Sequence, residues 1–228
     1  MNKLLLLHGA LGASEQFLPI KEALKEQYEL HSIDFYGHGT SAFSSAGFAI
    51  PVFAKQVIEY LDKNNMASIN IFGYSMGGYV ALYLAKHYPL RVNKIMTLAT
   101  KFVWTPEIAA SETKMLNPEL IESKVPDFAQ QLKARHGEHK WKELLQHTAE
   151  MMVDMGNNAV LNSKDYSTIE QAVLLGLGDR DKMVSLQESQ EVFKSLKNSG
   201  FYILPYTKHP LESVDTKRLS TEIIRFVQ

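Results

Sequence analysis

The chain begins with an unbroken apolar run, Leu4 to Leu7, that stops abruptly at His8-Gly9. A short run without polar alternation predicts a strand buried on both faces, as in a parallel sheet. Comparable β-like segments recur at Glu29–Ile33, Ile69–Phe72, Lys94–Ala99, Ala172–Leu177 and Phe201–Leu204. Between them lie stretches with helical spacing: Ser14, read as an N-cap, to about Lys25, then Ile50–Leu61, Gly77–His87, Leu186–Lys197 and Lys217–Val227. Strands alternating with helices through short connections predict parallel βαβ units and hence a doubly wound, mostly parallel α/β sheet.

From Lys101 to Thr168 the alternation is lost. This stretch has no comparable β run, places Phe128, Leu132 and Arg135 at amphipathic spacing, and is interrupted by Pro106, Pro118 and Pro126. It reads as a helical insertion. The expected organisation is one α/β domain over 1–228, with a core of 1–100 and 169–228 and the insertion, 101–168, as a cap.

Composition narrows the partners. A length of 228 residues, 45% hydrophobic and 21% charged, suits one domain with a sizeable core. A formal net charge of -1 provides no field to gather polyanions, and no basic run is interleaved with aromatics, so nucleic acid is not an expected partner. No window approaches the roughly 18 apolar residues of a membrane span, and the four leucines are too short for a signal h-region. With no cysteine there is no disulfide and no thiol chemistry, which is compatible with a reducing cytoplasm, the expected location.

The segment Gly73-Tyr74-Ser75-Met76-Gly77-Gly78 joins a predicted strand to a predicted helix. A serine on such a turn sits in a strained backbone that presents its hydroxyl beyond the sheet, and glycines two residues to either side let strand and helix approach. A serine hydroxyl is a poor nucleophile at neutral pH, so Ser75 needs a histidine base, and the base needs a carboxylate. In sheets of this kind, catalytic groups gather at the carboxyl ends of strands. Asp179 and Asp181 follow one later strand and His209 follows the next, giving the order Ser, Asp, His.

With these motifs the chain resembles the α/β-hydrolase superfamily across essentially its whole core. The resemblance extends to His8-Gly9-Ala10-Leu11 after the first strand and to the loop Asp34-Phe35-Tyr36-Gly37-His38-Gly39-Thr40-Ser41. It implies Asp181 as the acid, three residues after Gly178 and three before Val184, with Asp179 in reserve. It implies an oxyanion hole from the backbone amides of Met76 and Ala10, with Leu11 as the alternative, and structural roles for His8 and His38. The chain departs from the family pattern at Lys208, where a glycine commonly precedes the histidine; a solvated loop lysine is the ordinary reading.

Substrate-pocket candidates are Leu11, Phe102, Trp104 and Met151, with Met152, Met155 and Phe128 either lining the pocket or packing the insertion. His136 and His139 flank Gly137 without a third ligand nearby and read as a polar helix end, so no metal is expected; no phosphate loop and no cofactor are expected either. The expected activity is serine hydrolysis of a small carboxylic ester or related acyl substrate. The chain also resembles the menaquinone-pathway synthase that uses the same triad for proton abstraction and pyruvate elimination, although Tyr79 and the single insertion arginine, Arg135, depart from that family's arginines. A ligand-binding module is the non-enzymatic alternative. Dehalogenases and epoxide hydrolases are set aside because they carry Asp, not Ser, at the elbow.

Overall fold

The computed structural model describes all residues, 1–228. Six parallel strands form one sheet in the order β2-β1-β3-β4-β5-β6. They are β1 (Asn2–Leu7), β2 (Tyr28–Ser32), β3 (Ile69–Tyr74), β4 (Val92–Leu98), β5 (Ala172–Gly178) and β6 (Ser199–Leu204). The two-faced burial read from the first leucines is visible in the packing. Leu5 and Leu7 join one cluster, with Phe53, Val57, Val80 and Leu84, whereas Leu4 and Leu6 join the other, with Phe17, Leu24, Leu219 and Ile223. Successive side chains of a strand point to opposite faces, so one uninterrupted apolar run serves both layers.

Helices α1 (Leu18–Leu24) and α10 (Thr216–Val227) cover the second face, and α2 (Ile50–Lys63), α3 (Met76–His87) and α9 (Leu186–Ser195) the first. Ser14 is not a helix cap. It begins a 3-10 turn, Ser14–Phe17, whose cap position is Ala13, and its own amide donates to Asp34 Oδ1 at 2.7 Å. The chain here is held by a carboxylate from the next loop together with Gln16, whose side-chain oxygen accepts the Ala13 amide at 3.0 Å.

Between β4 and β5 the chain forms only helices: α4 (Pro106–Thr113), α5 (Pro118–Lys124), α6 (Pro126–His136), α7 (Lys140–Asn157) and α8 (Ser163–Tyr166). Pro106, Pro118 and Pro126 each stand at a helix start, where a missing N–H costs nothing. Trp141, Leu132, Leu145, Ile121 and Ala129 form a small core within this segment, while Met151, Met155 and Leu144 join the main core. No helix is long and apolar enough to cross a membrane.

Candidate active site

The first link is steric. Ser75 is held at φ 50, ψ −118, outside the comfortable regions for a side-chain-bearing residue. Its amide donates to the Leu98 carbonyl at 2.8 Å, and its carbonyl accepts from Thr100 Oγ1 at 3.1 Å. The flanking glycines are required by contact. A Cβ at Gly73 would stand 2.5 Å from the Gly77 carbonyl oxygen and the Gly78 backbone, and one at Gly77 would collide with the Leu7 carbonyl of β1. The helix therefore lies against two strands, its own and the neighbour.

His209 and Asp181 meet at the carboxyl ends of the last two strands. His209 Nδ1 donates to Asp181 Oδ2 at 2.8 Å, and the Asp181 side chain is fully buried. Its other oxygen accepts from the amides of Met183 at 2.8 Å and Val184 at 2.9 Å. Burial opposes ionisation of Asp181, but the His209 hydrogen bond and charge and these two amides outweigh it, so its carboxyl lies below its ordinary range. Asp179 is engaged elsewhere, accepting from the Thr207 amide at 3.1 Å. With Nδ1 committed to Asp181, the free ring nitrogen of His209 is Nε2.

Ser75 and His209 line a cavity of about 590 Å³, together with Ala10, Leu11, Tyr74 and Met76. The amides of Ala10 and Met76 have no acceptor in the protein. From the helical segment come Trp104, Phe128, Met151, Met152 and Met155. Phe102 does not line this cavity: it is buried beside Tyr166 and faces a smaller one, because β4 ends at Leu98 and the chain then turns under the segment. Lys208 is exposed and takes no part in the lining.

Three histidines lie buried beside the loop that carries Ala10. His8 donates from Nδ1 to the Gly9 carbonyl at 2.8 Å and accepts the Phe35 amide at Nε2, 3.0 Å, which fixes it neutral. Burial lowers its pKa to about 4. His38 packs against His8, Phe48 and Phe53, outside the cavity, and burial holds it far below its usual value. His136 does end a helix, α6, but it is buried there and not solvated. It is 4% exposed, accepts the Gly39 amide at Nδ1 (2.9 Å) and donates from Nε2 to the Leu11 carbonyl (3.0 Å). Both its nitrogens are thus committed to backbone, and burial lowers its pKa to about 4.

Two further contributors escape sequence reasoning. Tyr74, a variable position of the elbow motif, donates its hydroxyl to the His209 carbonyl at 2.8 Å and so steadies the loop bearing the histidine. Glu188 accepts from the Phe102 amide at 2.9 Å while its other oxygen caps Ser185. The spacing Ser185-x-x-Glu188 is a capping box legible in the sequence; its second use is not.

The alpha/beta hydrolase fold family matches residues 2–157. Over 80 residues, 35% of this chain and 28% of the relative, the sequence is 39% identical to the 2-succinyl-6-hydroxy-2,4-cyclohexadiene-1-carboxylate synthase of Yersinia enterocolitica. Over 130 residues, 57% of this chain and 46% of the relative, it is 29% identical to a pimeloyl-(acyl-carrier protein) methyl ester esterase of Vibrio vulnificus. The chain thus spans less than half the length of these curated relatives. The enol-lactonase from Burkholderia xenovorans LB400 shares the fold, with a TM-score of 0.80 over 99% of this chain and 91% of its own at 17% identity. With the family matched across more than half of its length and a six-stranded parallel sheet between two helical layers, the chain belongs to the α/β-hydrolase fold family.

Proposed function

We propose that the protein is a serine hydrolase of uncharged carboxylic esters with a small to medium apolar acyl group. Ser75 is the nucleophile, His209 the base, Asp181 the orienting carboxylate, and the amides of Ala10 and Met76 the oxyanion hole. The supporting observation is a strained serine sharing a cavity with a histidine whose far nitrogen is fixed on a buried carboxylate. Ser75 Oγ attacks the ester carbonyl as its proton passes to His209 Nε2, and the resulting oxyanion is held by the two amides. Collapse breaks the ester C–O bond, and the alcohol leaves with the proton from His209. Water then attacks the acyl-enzyme with His209 again as base, releasing the acid and restoring Ser75.

The cavity's charges favour a neutral substrate. Its four charged residues are paired with one another: Lys101 with Glu112 at 3.3 Å and Arg135 with Glu212 at 3.0 Å. No cation is left over for a carboxylate, and the helical segment, acting as the cap, offers methionines and aromatics instead. The Yersinia relative favours a second reading, elimination of pyruvate by the same triad. An anionic substrate would have to break the Lys101–Glu112 or the Arg135–Glu212 pair to gain a cation. A fluorophosphonate probe separates enzyme from binding module: covalent labelling at Ser75 is expected, and a folded protein that stays unlabelled refutes the serine mechanism. A panel of p-nitrophenyl esters, run beside an assay for pyruvate release, then decides between hydrolysis and elimination.

A further inference from the structure

The turn that supplies the Ala10 amide is gripped from outside. Gly9 to Gly12 forms a tight turn closed by the Gly12 amide on the Gly9 carbonyl at 3.1 Å, and its third residue, Leu11, sits at φ 58. That position favours glycine or asparagine, so a leucine there depends on restraint from its surroundings. The restraint comes from the helical segment. The Leu11 carbonyl accepts from His136 Nε2 at 3.0 Å and from an Arg135 guanidinium nitrogen at 3.2 Å, which uses both of its lone pairs.

Each donor is itself braced. His136 Nδ1 takes the Gly39 amide, and Lys140 donates to the carbonyls of Gly39 (2.8 Å) and Ser41 (2.7 Å). Arg135 is held by Glu15 at 3.4 Å and by Glu212 at 3.0 Å. The end of α6 and the start of α7 therefore clasp two loops at once, one after β1 and one after β2.

We propose that Arg135 and His136 are positioning residues that hold the Ala10–Leu11 turn in its oxyanion-binding conformation, so that the helical segment sets the rate of the chemical step as well as the shape of the pocket. This rests on the hydrolase reading above. Fixing the Leu11–Gly12 peptide plane in a turn closed at both ends also fixes the direction of the Ala10 amide. An oxyanion donor acts chiefly in the transition state, so its misplacement lowers kcat more than it raises KM.

The test uses the full chain with p-nitrophenyl butyrate and a fluorophosphonate. His136→Ala and Arg135→Met each lower kcat by about tenfold or more with KM within about threefold, and slow Ser75 labelling in parallel. Arg135→Lys, which keeps a donor for the carbonyl and a charge for Glu212, recovers most of the loss. The double variant loses less than the product of the single losses, because both donors serve one oxygen. Variants that label and turn over at the wild-type rate, or lose only KM, overturn the proposal. Should His136→Ala fail to fold, the Arg135 pair decides alone, since that side chain is partly exposed. A wild-type chain that does not label at all refutes the hydrolase reading instead.

Discussion

Acid should unfold this protein before its carboxylates titrate. His8 and His136 are neutral in the fold with pKa values lowered to about 4, chiefly by burial, and His38 is lowered well below its ordinary value for the same reason. In an unfolded chain each takes its proton near pH 6.5. Above about pH 6.5 neither state binds these protons and there is no effect. Between about 6.5 and 4 the unfolded state binds them and the folded state does not, so stability falls with acid. For His8 and His136 the fall amounts to roughly 3 kcal/mol each by pH 4, a large part of the ~5–15 kcal/mol that holds an ordinary domain.

With all three rings in play, the slope near pH 5 approaches about 4 kcal/mol per pH unit. Asp34, Asp181 and Glu212 act in a lower window. Burial opposes their ionisation, but hydrogen bonds outweigh it, from Ser14 and Thr40 at Asp34 and with the help of His209 at Asp181 and Arg135 at Glu212, so each lies below its ordinary range. The stability they confer is complete above about pH 4.5 and is lost only as pH falls through their folded values. Urea titrations followed by far-UV circular dichroism at about pH 7.5, 6 and 5 measure the slope. A stability that stays flat from pH 7 to 5 would refute the neutral, buried placement of these rings. Replacing His136 by Asn should reduce the slope by about 1.4 kcal/mol per pH unit, the share of one proton.

Other outcomes follow from single contacts. Asp181→Asn should lower kcat by roughly 10⁴-fold by upsetting the His209 tautomer, while Asp179→Asn, which touches only the Thr207 amide, should stay within about twofold; steady-state kinetics on one ester decides both. Gly77→Ala drives a Cβ into the Leu7 carbonyl and should lower stability by more than about 3 kcal/mol in a denaturant melt, with activity lost alongside. Met151→Phe should shift preference towards shorter acyl chains across an ester series, whereas Phe102→Leu, facing away from the cavity, should leave the preference unchanged.

How much of this was legible in the sequence depended on the distance over which each signal acts. The strands and the elbow were readable because β1 buries both faces and because Gly73 and Gly77 stand at a fixed spacing around Ser75, although only the collision at Gly73 is local and that at Gly77 is with the distant Leu7 carbonyl. Ser14 misled because a serine before a helix resembles a cap, while here its amide serves a carboxylate twenty residues away. Phe102 misled because proximity to a strand end does not fix the direction in which the chain leaves it. His136 was unreadable: its partners, Gly39 and Leu11, lie 97 and 125 residues distant, and nothing local distinguishes a histidine bound to two backbone groups from one in solvent.

The same contrast bears on how the site divides its labour. Ser75 is set by packing of α3 against β1 and β3, and His209 by Asp181 and Tyr74, all within the sheet and its own loops. The Ala10–Leu11 turn is different, because its outer carbonyl is held only by Arg135 and His136 of the helical segment. The proposed nucleophile is thus independent of the segment that shapes the pocket, and the loop of the proposed base meets that segment only at its edge, through the Arg135–Glu212 pair, whereas the proposed oxyanion turn depends on it directly. A change in the segment that alters which acyl group fits will therefore also move the turn that stabilises the developing negative charge. Substrate preference and chemical rate are coupled through one carbonyl oxygen, and a substitution series in α6 should show them varying together.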